Sequence, residues 1–158
     1  MRRFFCVFFF ALAVLFGYAQ QEHLSVGFHT GIAADHEALT IGVDVRYNVF
    51  SDVRIAPSIT HMIRYKNQSA WYFDFDGHYV FDITNTFSFY PIGGISLSIW
   101  DWHSRYSDKV THTRLGFNVG LGGEIKIIYQ LSVGLDMKYN VIRDYHQALA
   151  AVRVAYHF

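Results

Sequence analysis

From Leu24 onward, apolar and polar side chains alternate in eight segments separated by polar or turn-forming breaks. Neighbouring side chains of a β-strand point to opposite faces, so this alternation predicts strands with one apolar and one polar face. The segments run from Leu24 to Ala33, Leu39 to Asn48, Val53 to Ile63, Ala70 to Phe81, Thr86 to Trp100, Thr113 to Ile125, Gln130 to Val141 and Ala148 to Phe158. In the last, Ala150, Val152, Val154, Tyr156 and Phe158 share one face, while Leu149, Ala151, Arg153, Ala155 and His157 share the other. Lengths of about 10 to 15 residues exceed the usual soluble strand and suffice for a tilted bilayer crossing.

The breaks alternate too. Val49 to Asp52, Asp82 to Asn85 and Lys126 to Tyr129 are tight turns. Ala34 to Ala38, Arg64 to Ser69, Asp101 to His112 and Ile142 to Gln147 are polar loops, with Asp101 to His112 the longest. Short turns on one side and longer loops on the other are the asymmetry of a transmembrane β-barrel.

Charge assigns the faces. Asp44, Asp74, Asp76, Glu124 and Asp136 share the less apolar face with Arg46, Arg54, Arg114, Lys138 and Arg153, and no strand charge falls on the aliphatic face. An Arg or Lys facing lipid at the midplane costs roughly 2–4 kcal/mol, which explains such sorting. A soluble lipocalin-like barrel, the alternative fold, would put aliphatics inside and charges in water. The expected fold is therefore all-β: an eight-stranded antiparallel transmembrane barrel with a charged lumen. Tyr47, Phe50, Trp71, Phe87, Trp100, Tyr139 and Tyr156 lie near strand ends, where interfacial girdles form. Pro57 and Pro91 cannot donate to a ladder, so bulges are expected there. His61 has outward parity, which places it near the external interface.

Composition adds export. Arg2 and Arg3 precede an apolar run from Phe4 to Phe16 and a small-x-small site at Gly17-Tyr18-Ala19, so residues 1–19 read as a signal peptide and 20–158 as the barrel domain. The apolar run is shorter than the roughly 20 residues of a spanning helix. Without Arg2 and Arg3, the 13 basic residues become 11 against 13 acidic ones, a formal charge of −2. That balance gives no basic face for nucleic acid. Cys6, the single cysteine, lies in the export segment, so no disulfide is expected in the mature chain.

The exported start, the eight alternating segments, the glycines Gly116, Gly120 and Gly122 and the ending Tyr156-His157-Phe158 together resemble the small outer-membrane β-barrel family of the OmpA/OmpX type. The resemblance implies a barrel domain alone, with no periplasmic domain after it, in the cell outer membrane, with membrane lipid as its surroundings. It also implies that Tyr156 and Phe158 form the aromatic signal read by the barrel-assembly machinery. The barrel itself is expected to be a monomer. An even strand count puts both ends on the periplasmic side.

Eight strands leave an interior just wide enough for side chains. The ten lumenal charges are thus expected to form a self-neutralising network, with a narrow solute or ion pore as the alternative. Asp74 and Asp76, two apart on one face, resemble an acid–base pair but fit that network better. Asn118 to Glu124, NVGLGGE, lacks the third glycine of a dinucleotide loop, and His36-Glu37 lacks the second histidine of a zinc motif. A lipid A-modifying enzyme would need a Ser–His–acid group near the outer rim, where His103-Ser104 lies close to Asp101 and Asp108. No catalytic, cofactor or metal site is expected. The longest loop holds Trp102, Arg105 and Tyr106, an aromatic–basic mixture suited to surface contact. The expected role is accordingly structural or surface-interacting, and not enzymatic.

Overall fold

The computed structural model describes residues 24–36, 38–65, 68–104, 107–142 and 146–158. The expected export segment lies outside the described residues. Eight strands form: β1 (Leu24–Ala33), β2 (Ala38–Asn48), β3 (Val53–Tyr65), β4 (Gln68–Tyr79), β5 (Phe87–Ser104), β6 (Ser107–Ile128), β7 (Leu131–Ile142) and β8 (Gln147–His157). Two further residues, Phe81–Asp82, resume β4 after Val80. A 3-10 turn, Ala34–His36, joins β1 to β2.

Each strand pairs antiparallel with its neighbours in sequence, and β1 pairs with β8 from Ser25↔His157 to Ala33↔Leu149. The sheet is thereby a closed barrel with no open edge around its waist. Closure pairs the strands with one another around the waist, the condition for crossing hydrocarbon with strands.

Side-chain parity follows the alternation. Phe28, Val43, Ile95, Phe117, Leu135 and Val152 face outward and are 45–69% exposed, forming a belt around the barrel. A belt this large and apolar is stable only against lipid. The arrangement is the inverse of a soluble lipocalin-like barrel. His61 is half-buried at the outer face, with its ring 4.3 Å from that of Trp71. Leu24 has outward parity yet is buried, and its carbonyl accepts a hydrogen bond from the Phe158 amide at 3.1 Å.

Three expectations are corrected. Neither proline makes a bulge: the β2–β3 and β3–β4 registers continue unshifted past Pro57, and the β5–β6 register past Pro91. Each instead leaves a short gap in one ladder, where Val45 and Arg46 pass Pro57 and Ala56, and where Tyr79 and Val80 pass Pro91 and Tyr90. A missing donor can be absorbed by skipping bonds without inserting a residue, and at the second gap the Val80 amide bonds to the Asp52 carbonyl at 2.7 Å. Trp100 does not join the outer girdle; it points into the lumen at 1% exposure, its ring edge-on to Tyr72. The stretch from Asp101 to His112 is mostly not a loop either. β5 runs to Ser104 and β6 starts at Ser107, so it is the end of a long β-hairpin, paired through Trp100↔His112 and Trp102↔Val110.

Candidate functional site

The lumen is filled by its own side chains. Room for them comes from facing glycines: a Cβ on Gly27 would overlap the Arg153 guanidinium, and one on Gly122 would overlap the Tyr90 ring and the Asp136 carboxylate. Arg46 of β2 is the hub. Its Nε donates to Asp44 Oδ1 at 3.2 Å, Nη1 to Tyr90 Oη at 2.7 Å and toward Glu124 Oε2 at 3.5 Å, and Nη2 to Asp136. Arg153 of β8 donates to Asp44 at 2.8 Å and to Ser25 Oγ at 3.2 Å. Arg54 of β3 donates to Glu124 Oε1 at 2.9 Å and to His78 Nδ1 at 3.3 Å. Three carboxylates thus meet three guanidiniums, which is the balance that desolvated charges require.

Tyr90 sits in the middle of this group. Its hydroxyl donates to Asp136 at 2.6 Å, its ring stacks on His78 at 4.9 Å, and the Arg54 guanidinium lies 4.5 Å from the ring centre. A second cluster centres on Lys138, which donates to Asp74 at 2.6 Å and Asp76 at 2.9 Å. Ser96 completes Asp74 at 2.5 Å and Asn118 completes Asp76 at 2.7 Å. Arg114 is half-buried, and among the described residues it forms no ion pair. Nine of the ten lumenal charges named from sequence are therefore gathered into two clusters, and Arg114 stands apart.

Sequence reasoning missed three parts of this arrangement. His29 bridges Thr60 Oγ1 at 2.9 Å and Asp44 at 3.4 Å, and Tyr90 and His78 join the arginines; all three have inward parity, which was the available signal. Toward the external end, Ala33, Ala38, Met62, Ala70, Tyr72, Trp100, Ile142 and Leu149 form a small apolar cluster across the lumen. Tyr72 there donates to Gln147, whose amide approaches Met62 Sδ at 3.8 Å. The central cavity between the layers is about 40 Å³, room for a few waters.

Of the surface candidates, Trp102 lies in β5, and Arg105 and Tyr106 fall outside the described residues. His103 and Ser104 belong to β5, not to a loop. Tyr156 and Phe158 face outward at 44% and 40% exposure, with rings edge-to-face at 5.0 Å.

The barrel superimposes on the N-terminal barrel of OprF from Pseudomonas aeruginosa with a TM-score of 0.77 and 14% identity, covering 87% of this chain and 98% of that one. Neisserial surface protein A gives 0.68 and 15%, covering 86% and 95%. The attachment invasion locus protein Ail of Yersinia pestis gives 0.65 and 14%, covering 86% and 97%. At these identities the likeness concerns the fold alone. No curated protein matches the chain in sequence. The sequence family described as outer membrane protein beta-barrel domain matches residues 14–158, across all eight strands. The chain belongs to that family and is a β-barrel protein of the cell outer membrane.

Proposed function

We propose that this protein is a sealed, monomeric and non-enzymatic barrel whose role is surface interaction through its β5–β6 hairpin. The observation that carries the reading is an overhang. β7 first pairs with β6 at Gly116↔Ile142, whereas β6 begins at Ser107, so residues 107–115 continue past β7 with β5 as their partner. At about 3.3 Å per residue that is roughly 30 Å of strand. The other edge of the hairpin is covered by β4 as far as Gln68↔Trp102. One long backbone edge therefore lacks a neighbouring strand among the described residues, and such an edge is a template for strand addition by an extended peptide.

The filled lumen favours sealing over a pore: among the described residues the central cavity is about 40 Å³ and an apolar layer lies above it. Among structural neighbours, Ail is an attachment invasion locus protein and has been solved with the heparin analogue sucrose octasulfate, and another is a surface protein. In the same reading, Tyr156 and Phe158 are the aromatic pair that the barrel-assembly machinery recognises on the last strand.

The test replaces residues 101–111 with Asn-Gly, a two-residue hairpin turn flanked by the existing Trp100↔His112 pair. Cells carrying this variant should lose adhesion to surfaces coated with extracellular proteins while keeping heat-modifiable, folded barrel. Undiminished adhesion would refute the hairpin's role. Planar-bilayer recordings of the intact protein should show no steps above background; sustained unitary conductance would replace the sealed barrel with a pore.

A further inference from the structure

Two hollows meet at the periplasmic rim. One is a polar vestibule of about 80 Å³ inside the mouth, bordered by Arg54, Asp82 and Glu124. The other is a groove of about 290 Å³ along the rim, bordered by Ile127, Ile128 and Tyr129. Lys126 and His157 line both.

The charges around these hollows are unevenly satisfied. Glu124 is already engaged by Arg54 at 2.9 Å and Arg46 at 3.5 Å, and Asp82 accepts the Ser88 hydroxyl at 2.6 Å. Lys126 is exposed, and among the described residues no carboxylate pairs with it. Arg54 is 4% exposed, yet its Nη2 is buried without a hydrogen-bond partner. A charged donor left in that state is unfavourable, and a water or anion oxygen relieves it. Outside, Ile127 and Ile128 are each 60% exposed and continue the apolar belt to the rim. A shift of the β6–β7 register between Lys126 and Ile128 places an ammonium beside two aliphatic groups in consecutive positions. Cation and hydrocarbon side by side, at the level where a bilayer changes from acyl chain to headgroup, match an amphiphile with an anionic head.

We infer that this rim binds the phosphate of an anionic phospholipid from the inner leaflet, with its oxygens at Lys126 and at the His157 ring nitrogen left by Ser132 Oγ, which meets Nε2 at 2.8 Å, and its acyl chains against Ile127 and Ile128. Free phosphate shares the head chemistry but has no use for the isoleucines.

The experiment extracts the intact barrel from nanodiscs of phosphatidylcholine doped with phosphatidylglycerol and counts retained lipid by native mass spectrometry. Wild type should retain one phosphatidylglycerol in preference to phosphatidylcholine. Lys126→Gln should weaken that retention by about fivefold, since one cation near a lipid surface is worth about 1 kcal/mol. His157→Gln should also weaken it, while Lys109→Gln on the distant hairpin should not. Because Lys126 is exposed, heat-modifiable migration should confirm that its variant folds. Equal retention of the two lipids by wild type, or retention unchanged in Lys126→Gln, would overturn the proposal. A parallel titration of inorganic phosphate into the barrel in neutral micelles, followed by NMR at Lys126 and His157, separates the sources. Saturable shifts there without phosphatidylglycerol preference would assign the site to free phosphate and overturn the lipid.

Discussion

Replacing Arg46 with methionine tests the lumenal network at its hub. Methionine keeps much of the stem's volume and flexibility, so the change removes charge more than packing. Arg46 is 3% exposed and meets Asp44 at 3.2 Å, Glu124 at 3.5 Å and Asp136. Without it, three carboxylates share Arg54 and Arg153, and Asp44 and Glu124 remain 5% and 4% exposed. An exposed ion pair is worth about 0–1 kcal/mol, whereas removing one member of a buried pair costs about 3–5 kcal/mol. Urea unfolding in lipid vesicles, scored by heat-modifiable migration, should register this loss. With a denaturant slope of about 2 kcal/mol per molar, the midpoint should fall by about 2 M. Adding Asp136→Asn restores the balance, leaving two carboxylates with two guanidiniums. The double variant should recover about 2 kcal/mol relative to the sum of the single losses, within the usual range for groups in contact. A single-variant loss below about 1 kcal/mol, or strictly additive losses, would refute the reasoning, because both mean that water already reaches the site.

Two further outcomes follow from side-chain placement. Gly122→Val should destabilise by about 1–3 kcal/mol through overpacking against Tyr90 and Asp136, while Gly93→Val, whose Cβ meets no atom within 4 Å, should stay near wild type in the same urea assay. Comparable losses at both positions would contradict the packed lumen. Brominated lipid should quench the fluorescence of Trp71, which is 43% exposed on the lipid face, and spare Trp100, which is 1% exposed. Trp71→Phe should thus remove most of the quenching and Trp100→Phe little; the reverse would place Trp100 back in the girdle.

How far the sequence carried depends on how strongly two media differ across each strand. Between Phe28 and Val152 the faces meet hydrocarbon and a polar lumen, and parity could be read residue by residue. Beyond Trp100 the polar residues Asp101, Lys109 and His112 interrupt the alternation in the sequence, although the ladder continues. Trp100 was misplaced for a related reason. Being near a strand end, it met the compositional criterion for a girdle, but its parity with Ser98 and Ser96 points inward. The charged positions were legible, while their partners were not. Arg46 and Asp136 lie 90 residues apart and meet across the lumen, a relation set by closure and not by spacing. Arg114 shares the parity of the network yet not its height, and alternation carries no information about height. The prolines show the opposite case, in which a local rule implied an inserted residue and the surrounding ladders tolerated missing bonds instead.

The pairing of β1 with β8 has a consequence for how the chain reaches its native state. Asp44 is contributed early in the chain and Arg153 near the other end, 109 residues later, and they meet only when the first and last strands come together. Until then the carboxylate lacks one of its guanidiniums, and drying the interior is unfavourable. Ring closure and completion of this ion network are therefore coupled, and a sheet that has not yet closed lacks the counter-charge that drying its interior requires. Such long-range contacts form slowly. Arg153 thus serves as a clasp: the ion network around Asp44 is completed when the last strand brings its charge home.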